Sequence, residues 1–102
     1  MFLAGTGPNA LGRLRGDFIA IFQFADAGKE VEPILHKGVD SQRVLPGDGK
    51  IDLKGYLTSL KKTGFDGCVS LELYNPEYRK REPVAFLEEA LRKTVKVVAS
   101  VG

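Results

Sequence analysis

Two stretches of the chain are mostly apolar, and each predicts a buried β-strand. Residues 18–24 carry one polar side chain, Gln23, near their end. Residues 68–74 have the same design, with Glu72 near the end. A run without regular polar alternation is typical of a strand covered on both faces in a parallel sheet. A carboxylate in such a run is costly unless it is paired, hydrogen-bonded or bound to a metal, so we expect Glu72 to have a partner.

Helical patterns accompany both strands. The first helix is predicted over about residues 8–15, with Leu11 and Leu14 as its buried positions. The second is predicted over residues 53–63 and follows Asp52, a good N-cap. Apolar side chains at i, i+3, i+4 and i+7 give this second helix one buried stripe, formed by Leu53, Tyr56, Leu57 and Leu60.

A third helix is predicted over residues 83–98, with Pro83 at its first position. Glu89 and Lys93 are spaced to pair on its polar side. Its predicted buried face is aliphatic and consists of Val84, Leu87, Leu91, Val95 and Val98.

A long irregular segment, residues 27–51, separates the first strand from the second helix. It ends in two turn-forming pairs, Pro46-Gly47 and Asp48-Gly49, which follow Arg43 closely. His36 lies in this loop without a Cys or carboxylate at ligand spacing, and we expect it to be exposed to solvent. A loop of this length in a compact domain is usually functional or disordered, and the turn pairs favour function.

The order of elements predicts an α/β fold. Two buried strands joined through a helix form a right-handed βαβ unit, in which the strands are parallel. Two strands alone leave both outer edges of the sheet unpaired. Either copies of the chain pair edge to edge in a homo-oligomer, or the sequence is a piece of something larger. We favour the second as an account of its origin.

Composition predicts one ordinary domain over residues 1–102. The chain is 43% hydrophobic and 27% charged, with a net charge of +2, and its charges are scattered, so no nucleic-acid partner is expected. No apolar run approaches the roughly 20 residues of a membrane span, and no membrane partner is expected. The single cysteine, Cys68, fits a reducing cytoplasm, and we expect it to be a small buried side chain.

Several motifs together resemble the end of the sugar phosphate isomerase/epimerase family, which has the xylose isomerase-like TIM barrel. The relevant segments are QFADA at 23–27, RVLPGDGKID at 43–52, GFDGCVSLE at 64–72 and NPEY at 75–78. The family pattern runs strand–His–x–x–Asp, then Arg–x–x–Pro–Gly–x–Gly, a helix, Gly–Tyr–Asp–Gly and a strand that ends in a ligand Glu. The resemblance implies a partial (β/α) barrel made of the last two β/α units.

Family membership also implies a chemistry. A divalent metal (Mn, Mg, Co or Zn) at the mouth of the barrel would polarise a sugar or sugar phosphate. Ketose and aldose would then interconvert, or a centre beside the carbonyl would epimerise, through an enediolate. Because the family's first six units are missing here, the resemblance also implies that the chain is truncated and that its activity is uncertain.

The resemblance assigns roles to four residues. Glu72 matches the last-strand metal ligand, which often also transfers the proton. Arg43 matches the loop arginine that contacts substrate oxygens. Gln23 stands where many members have a ligand His, and it is a weaker ligand than imidazole. Asp26 is assigned to substrate binding.

Each role has a simpler alternative that the sequence leaves open. Glu72 could be a structural carboxylate bonded to a neighbouring loop, and Arg43 an ordinary loop arginine. Gln23 could satisfy loop backbone groups, and Asp26 could be a turn or supporting residue. The alternatives for the whole chain are a non-catalytic remnant, an oligomeric interaction module, or a dehydratase-type relative on the same metal scaffold.

Overall fold

The computed structural model describes residues 1–32 and 39–102, so the prediction for His36 lies outside the described residues. The β-strands of the described residues are short: β1 (Phe22–Phe24), β2 (Asp26–Ala27), β3 (Arg43–Val44) and β4 (Val69–Leu71). The α-helices are α1 (Pro8–Leu11), α2 (Leu53–Lys62) and α3 (Pro83–Ala99). Single 3-10 turns occupy Phe2–Ala4, Gly16–Phe18, Val39–Gln42 and Tyr78–Lys80.

The predicted parallel pairing is confirmed, because β1 and β4 form a parallel two-stranded sheet in which Gln23 lies opposite Ser70. The strands are shorter than residues 18–24 and 68–74. Phe18 belongs to a 3-10 turn and is 76% exposed, with the Arg15 guanidinium 4.4 Å from its ring centre. The expectation that Cys68 is buried is wrong, since this side chain is exposed.

Helices cover only one face of the β1–β4 sheet, so the prediction that both faces are covered is wrong for the described residues. Phe22 and Val69 pack against the core of α1 and α2. Strand side chains alternate between faces, and Gln23, Ser70 and Glu72 therefore share the opposite face. Gln23 and Glu72 are exposed there. The apolar runs predict that other segments also pack on the second face of the sheet. The described residues do not include such segments.

Helix α2 is the centre of the core. Its N-cap prediction is confirmed, because the Asp52 carboxylate accepts a hydrogen bond of 2.9 Å from the Gly55 backbone N–H. All members of its predicted apolar stripe are buried, and the helix ends before Gly64, which has a left-handed φ of 80°. The buried core cluster consists of Leu11, Tyr56, Leu57 and Leu60.

Helix α1 is shorter than the predicted residues 8–15, and Leu14 is exposed rather than buried. The reason is the approach of the chain to the end of α2. The Gly16 N–H donates to the Thr63 carbonyl at 3.0 Å, and a Cβ on Gly16 would lie 2.5 Å from that oxygen. The chain must leave the helix early to make this contact.

Helix α3 packs on a different face from the one predicted. Phe86 is partly buried, and Ala90 is fully buried. Val97 and Val101 pack against the core cluster. The predicted buried face is exposed along its whole length, at Val84, Leu87, Leu91, Val95 and Val98. The helix is apolar on two adjacent faces, and the described neighbours cover only one of them.

An unpredicted strand pair joins the start of the irregular segment 27–51 to its later part. β2 and β3 are antiparallel, with Ala27 opposite Arg43 and Asp26 opposite Val44. This pair ties the end of the first β-strand region to the residues that precede the turn pairs. Among the helices of the described residues, none has both the length and the apolar character needed to cross a membrane.

Candidate active site

A cavity of about 280 Å³ lies at the carboxyl ends of the parallel strands. Its walls include all four residues that the sequence singled out, Gln23, Asp26, Arg43 and Glu72. Most of the remaining lining is apolar or aromatic and includes Phe24 and Tyr56. Ligand sites are usually concave and mostly apolar, with a few convergent polar groups, and this volume is near the lower end of the roughly 300–1,000 Å³ that such sites occupy.

Arg43 and Glu72 meet at this cavity. Arg43 Nη1 lies 2.8 Å from Glu72 Oε2 and 3.4 Å from the Glu72 backbone carbonyl oxygen. The side chains are 31% and 55% exposed, respectively. Glu72 therefore has the partner that the sequence demands, but it is not the buried acid that its apolar surroundings suggest.

The segment that carries Arg43 is held on both sides. On one side, β3 pairs with β2. On the other, the Asn75 side-chain amide donates to the Arg43 carbonyl at 2.9 Å. The Leu45 N–H donates to the Tyr78 hydroxyl at 3.2 Å. Residues from the loop after β4 thus fix the backbone from which the Arg43 side chain extends.

Asp26 organises the loop that follows Arg43. Its side chain is only 2% exposed. One carboxylate oxygen accepts hydrogen bonds from the N–H groups of Gly47 and Gly49, both at 3.0 Å. The other accepts from Ile51 at 3.0 Å and from Ala27 at 2.9 Å.

The close approach of this loop to Asp26 and Ala27 explains why residue 49 is a glycine. A Cβ at Gly49 would lie 2.1 Å from the Ala27 carbonyl oxygen and 2.4 Å from an Asp26 carboxylate oxygen. Only a residue without a side chain lets the backbone pass there. The structure thus gives Asp26 a supporting role, and its assignment to substrate binding stays a prediction.

Gln23 and Glu72 share the open face of the sheet and are the oxygen donors that the resemblance assigns to a metal. Within residues 1–32 and 39–102, no cluster of three or more His, Cys, Asp or Glu side chains is arranged to hold a metal ion. One Glu72 oxygen is also bonded to Arg43. One carboxylate and one amide do not complete the coordination of a divalent cation, which takes four or more ligands. The described residues do not by themselves fit a metal.

A charged network joins α3 to the turn after Arg43. Lys93 contacts both Asp48 in that turn and Glu89 on its own helix, which confirms the predicted Glu89–Lys93 pair. The Arg81 guanidinium bonds to the second carboxylate oxygen of Glu89. Hydrogen bonds lower the pKa of Glu89 to about 2, and the one from Arg81 contributes more than the one from Lys93. Asp48 is the main reason that the pKa of Lys93 is raised.

Sequence reasoning did not predict that Asn75 and Tyr78 support Arg43. An Asn-Pro pair after a strand signals a turn, and here the Asn75 side chain also accepts from the Glu77 N–H at 3.0 Å. That signal locates the turn. It does not show which distant backbone the Asn75 amide and the Tyr78 hydroxyl reach.

Parallel strands with polar side chains at their carboxyl ends, beside helices on one face, are the arrangement found in (β/α)-barrel enzymes. The chain belongs to the xylose isomerase-like TIM barrel family, whose sequence model matches residues 1–94. This confirms the predicted α/β barrel class and the family resemblance.

The chain is similar to two proteins in sequence and to a third in a crystal structure. Inosose isomerase of Bacillus subtilis is 45% identical over 60 residues, which is 59% of this chain and 22% of the relative. A 3-dehydroshikimate dehydratase of Pseudomonas putida is 37% identical over 76 residues, which is 71% of this chain and 11% of the relative. The crystal structure of the IolI protein with a bound zinc atom superimposes with a TM-score of 0.86 at 35% identity, covering 98% of this chain and 35% of that one. The chain therefore spans about a third or less of each protein.

Proposed function

We propose that the cavity at the strand ends of this chain binds a polyhydroxylated ketone and isomerises it by moving the proton next to its carbonyl. The observation that supports this most directly is the Arg43–Glu72 pair, 2.8 Å apart beside a cavity at the strand ends. Proton transfer next to a carbonyl needs a base close to a group that stabilises negative charge on oxygen. Glu72 and Arg43 are such a combination.

In the proposed reaction, a Glu72 carboxylate oxygen removes the proton from the hydroxyl-bearing carbon next to the carbonyl. The electrons of that C–H bond form a C=C bond, and the carbonyl oxygen becomes an enediolate oxygen. Arg43 donates hydrogen bonds to this oxygen, which its planar guanidinium suits. Glu72 then returns the proton to the former carbonyl carbon while the hydroxyl proton passes between the two oxygens, so that no atom is gained or lost.

The pair must also open to admit a substrate. Both side chains are partly exposed, at 31% for Arg43 and 55% for Glu72. An ion pair in such surroundings contributes only about 0–1 kcal/mol to stability. Substrate oxygens can therefore replace the carboxylate on Arg43 at low cost, which leaves Glu72 able to accept a proton.

The substrate class in this proposal comes from the relatives. Inosose, which the Bacillus subtilis relative isomerises, is a cyclic polyhydroxy ketone and carries the hydroxyl and carbonyl on neighbouring carbons that the reaction requires. A sugar phosphate, the substrate implied by the family resemblance, has the same reacting group. We take inosose as the test compound because the chain matches that relative at 45% identity.

A dehydratase is the second candidate, favoured by the longer alignments. 3-Dehydroshikimate dehydratases of Pseudomonas putida and Pseudomonas aeruginosa align with 71% and 83% of this chain, against 59% for the Bacillus subtilis inosose isomerase. Dehydration also begins with proton removal next to a carbonyl, so Glu72 and Arg43 would keep their roles. Hydroxide would then leave from the neighbouring carbon, and the product would be a conjugated ketone.

A divalent cation is part of the proposal only as a group that other barrel strands would help to hold. In this chain, the candidate metal ligands are Glu72 and Gln23. No reaction step above depends on a cation. The zinc atom in the IolI crystal structure supports the idea that this site type accepts a metal.

Inosose binding and proton exchange test the proposal. We expect saturation-transfer NMR to detect inosose on the intact chain, and the proton next to its carbonyl to exchange with deuterium in D₂O. Glu72→Gln should abolish the exchange but keep binding, because the amide holds its place without acting as a base. Arg43→Met should lose both. Glu77→Gln removes an exposed acid from the following loop and should change neither.

Stability separates these effects from misfolding. The Glu72→Gln and Arg43→Met chains should unfold within about 1 kcal/mol of the unmodified chain, as expected for a partly exposed pair. Exchange that persists at full rate in Glu72→Gln would remove that residue from the chemistry. A chain that neither binds inosose nor exchanges its proton would contradict the proposal and favour a non-catalytic protein.

A further inference from the structure

The outer edge of β3 is bonded to side chains and not to another strand. In an antiparallel ladder, the backbone groups of successive residues point alternately to the two edges of a strand. On the edge toward β2, the Gln42 carbonyl accepts from the Gly28 N–H at 3.3 Å. The Arg43 carbonyl and the Leu45 N–H therefore point to the opposite edge, where such groups need partners from another segment.

Two side chains from the loop after β4 take the place of a neighbouring strand. The Asn75 amide nitrogen lies 2.9 Å from the Arg43 carbonyl oxygen. The Tyr78 hydroxyl oxygen lies 3.2 Å from the Leu45 nitrogen, and Leu45 is only 1% exposed. Buried N–H groups are nearly always paired in folded proteins, so the fold requires an acceptor at this point.

Helix α3 sets the position of the Tyr78 hydroxyl. The ring centre of Tyr78 lies 4.9 Å from that of Phe86, and the two rings are tilted by 34°. The Arg81 guanidinium lies 5.2 Å from the Phe86 ring centre and also bonds to Glu89. A tyrosine side chain has only two torsions, so the packing of its ring determines where its hydroxyl lies.

The same loop follows the strand that carries Glu72. The Glu72 N–H donates to the Phe24 carbonyl at 3.0 Å and so continues the bonding between β4 and β1. Residues 72–78 therefore carry the candidate base and also hold the backbone of the candidate cation. The distance of 2.8 Å between Arg43 Nη1 and Glu72 Oε2 depends on both.

We propose that Asn75 and Tyr78 are positioning residues of the reaction, and that they act through Arg43. An arginine side chain is long and flexible, so its guanidinium is well placed only if the backbone that carries it is fixed. A displacement of about 1 Å can slow a reaction about 100-fold, because a donor stabilises the enediolate only at the right distance. The inference rests on the proposed function, and neither side chain contacts the substrate in it.

Removal of one hydroxyl tests the role of Tyr78. Tyr78→Phe keeps the ring against Phe86 and removes only the acceptor of the Leu45 N–H. We expect the exchange of the inosose proton with deuterium to slow about tenfold at saturating inosose. The inosose concentration that gives half the maximal rate should change less than about twofold, because ground-state binding tolerates a looser contact than the transition state does.

Tyr74→Phe is the matched control, since it removes the same group from a half-exposed tyrosine just before this loop. It should change neither the maximal rate nor the half-saturating concentration.

Asn75→Ser tests the second contact. A serine hydroxyl can still accept from the Glu77 N–H and keep the turn, but it is too short to reach the Arg43 carbonyl. The maximal rate should fall as in Tyr78→Phe. Asn9→Ser makes the same change at an exposed position on α1 and should have no effect.

An NMR measurement separates positioning from a loss of stability. The Arg43 Nε–H signal, assigned by its loss in Arg43→Met, reports the surroundings of the guanidinium in the folded chain. It should shift in Tyr78→Phe and Asn75→Ser and stay in place in the two controls. Slower exchange with an unshifted signal would show a purely structural role and overturn the proposal. A maximal rate that is unchanged in both variants would also overturn it.

The two proposals fail separately. If the unmodified chain did not exchange the inosose proton, the proposed function would be wrong, whereas the Nε–H signal would still show whether Asn75 and Tyr78 position Arg43. If the unmodified chain and both variants exchanged the proton at the same rate, the reaction would stand and the positioning role would be wrong.

Discussion

Asp26 shows how one side chain can set the path of a distant loop. Its carboxylate is buried and accepts hydrogen bonds from four backbone N–H groups, three of which belong to residues 47–51. These bonds hold the turn that follows Arg43 against β2. In the sequence, Asp26 stands out as an acid just after a strand. In the described structure, its carboxylate holds a loop in place.

Asp26→Asn should destabilise the chain by about 2–3 kcal/mol, because an amide nitrogen would face backbone N–H donors and hydrogen bonds to a charged acceptor would be lost. Hydrogen exchange should quicken at Gly47, Gly49 and Ile51. Asp52→Asn is the matched control, since Asn is also a good N-cap and the change should cost little. Unchanged exchange at the three amides would show that the loop does not depend on the carboxylate.

The lowered pKa of Glu89 predicts an acid-sensitive contribution to stability. Arg81 and Lys93 hold this pKa at about 2, against an ordinary value of 4.5. A pKa that is lower in the folded state gives a contribution that is fully present above pH 4.5 and is lost as the pH falls from 4.5 toward 2.

Glu89→Gln should therefore lower stability at pH 7, and its difference from the unmodified chain should disappear near pH 2. Urea unfolding at several pH values measures both effects. Glu88→Gln, on the exposed side of the same helix, should show neither. A Glu89→Gln difference that stays constant across this pH range would mean that the Arg81 and Lys93 contacts do not favour the ionised form.

Among the secondary-structure elements, α2 and α3 illustrate how the same pattern can lead to different burial. Both have aliphatic residues at helical spacing. Leu60 on α2 is 3% exposed, whereas Leu91 on α3 is 66% exposed. The difference lies in the neighbours of each helix and not in its own sequence.

A matched pair of truncations should reveal this difference. Leu60→Ala should cost about 2–5 kcal/mol, because it leaves a cavity in the core. Leu91→Ala should change the stability of the chain alone by no more than about 0.5 kcal/mol, as expected at an exposed site. Denaturant unfolding compares them directly. A large loss in Leu91→Ala would mean that Leu91 is already covered in the isolated chain.

The sequence predicts the elements better than their contacts. The Asp52 N-cap and the α2 stripe depend on residues within one or two helical turns, and both are confirmed. The choice between the two apolar faces of α3 depends on segments far away in the chain. Helical periodicity identifies both faces but cannot rank them.

For the whole molecule, the site is open because the sheet has only one covered face. The side chains of Gln23 and Glu72 project from the uncovered face. They bring only two potential metal donors, and the described residues contain no cluster that would complete the set. Any metal response should therefore depend on donors from outside the described residues.

We expect the two donors of the described residues, Glu72 and Gln23, to be too few to stabilise the fold through a cation, so that millimolar Mn²⁺ or Zn²⁺ leaves the melting temperature of the chain unchanged. Differential scanning fluorimetry measures each case. A chelator-sensitive rise in the chain alone would place a complete metal site within it.

The sequence by itself determined the parallel pairing, the N-cap of α2, the family and four of the residues that line the cavity. These features depend on local periodicity, on turn chemistry and on motifs at set spacings. Tertiary structure alone decided that Glu72 pairs with Arg43, that Asp26 supports a loop and that the α3 face with Leu87 and Leu91 is exposed. Such outcomes depend on which groups distant segments bring within a few ångströms, and a linear pattern does not record those distances.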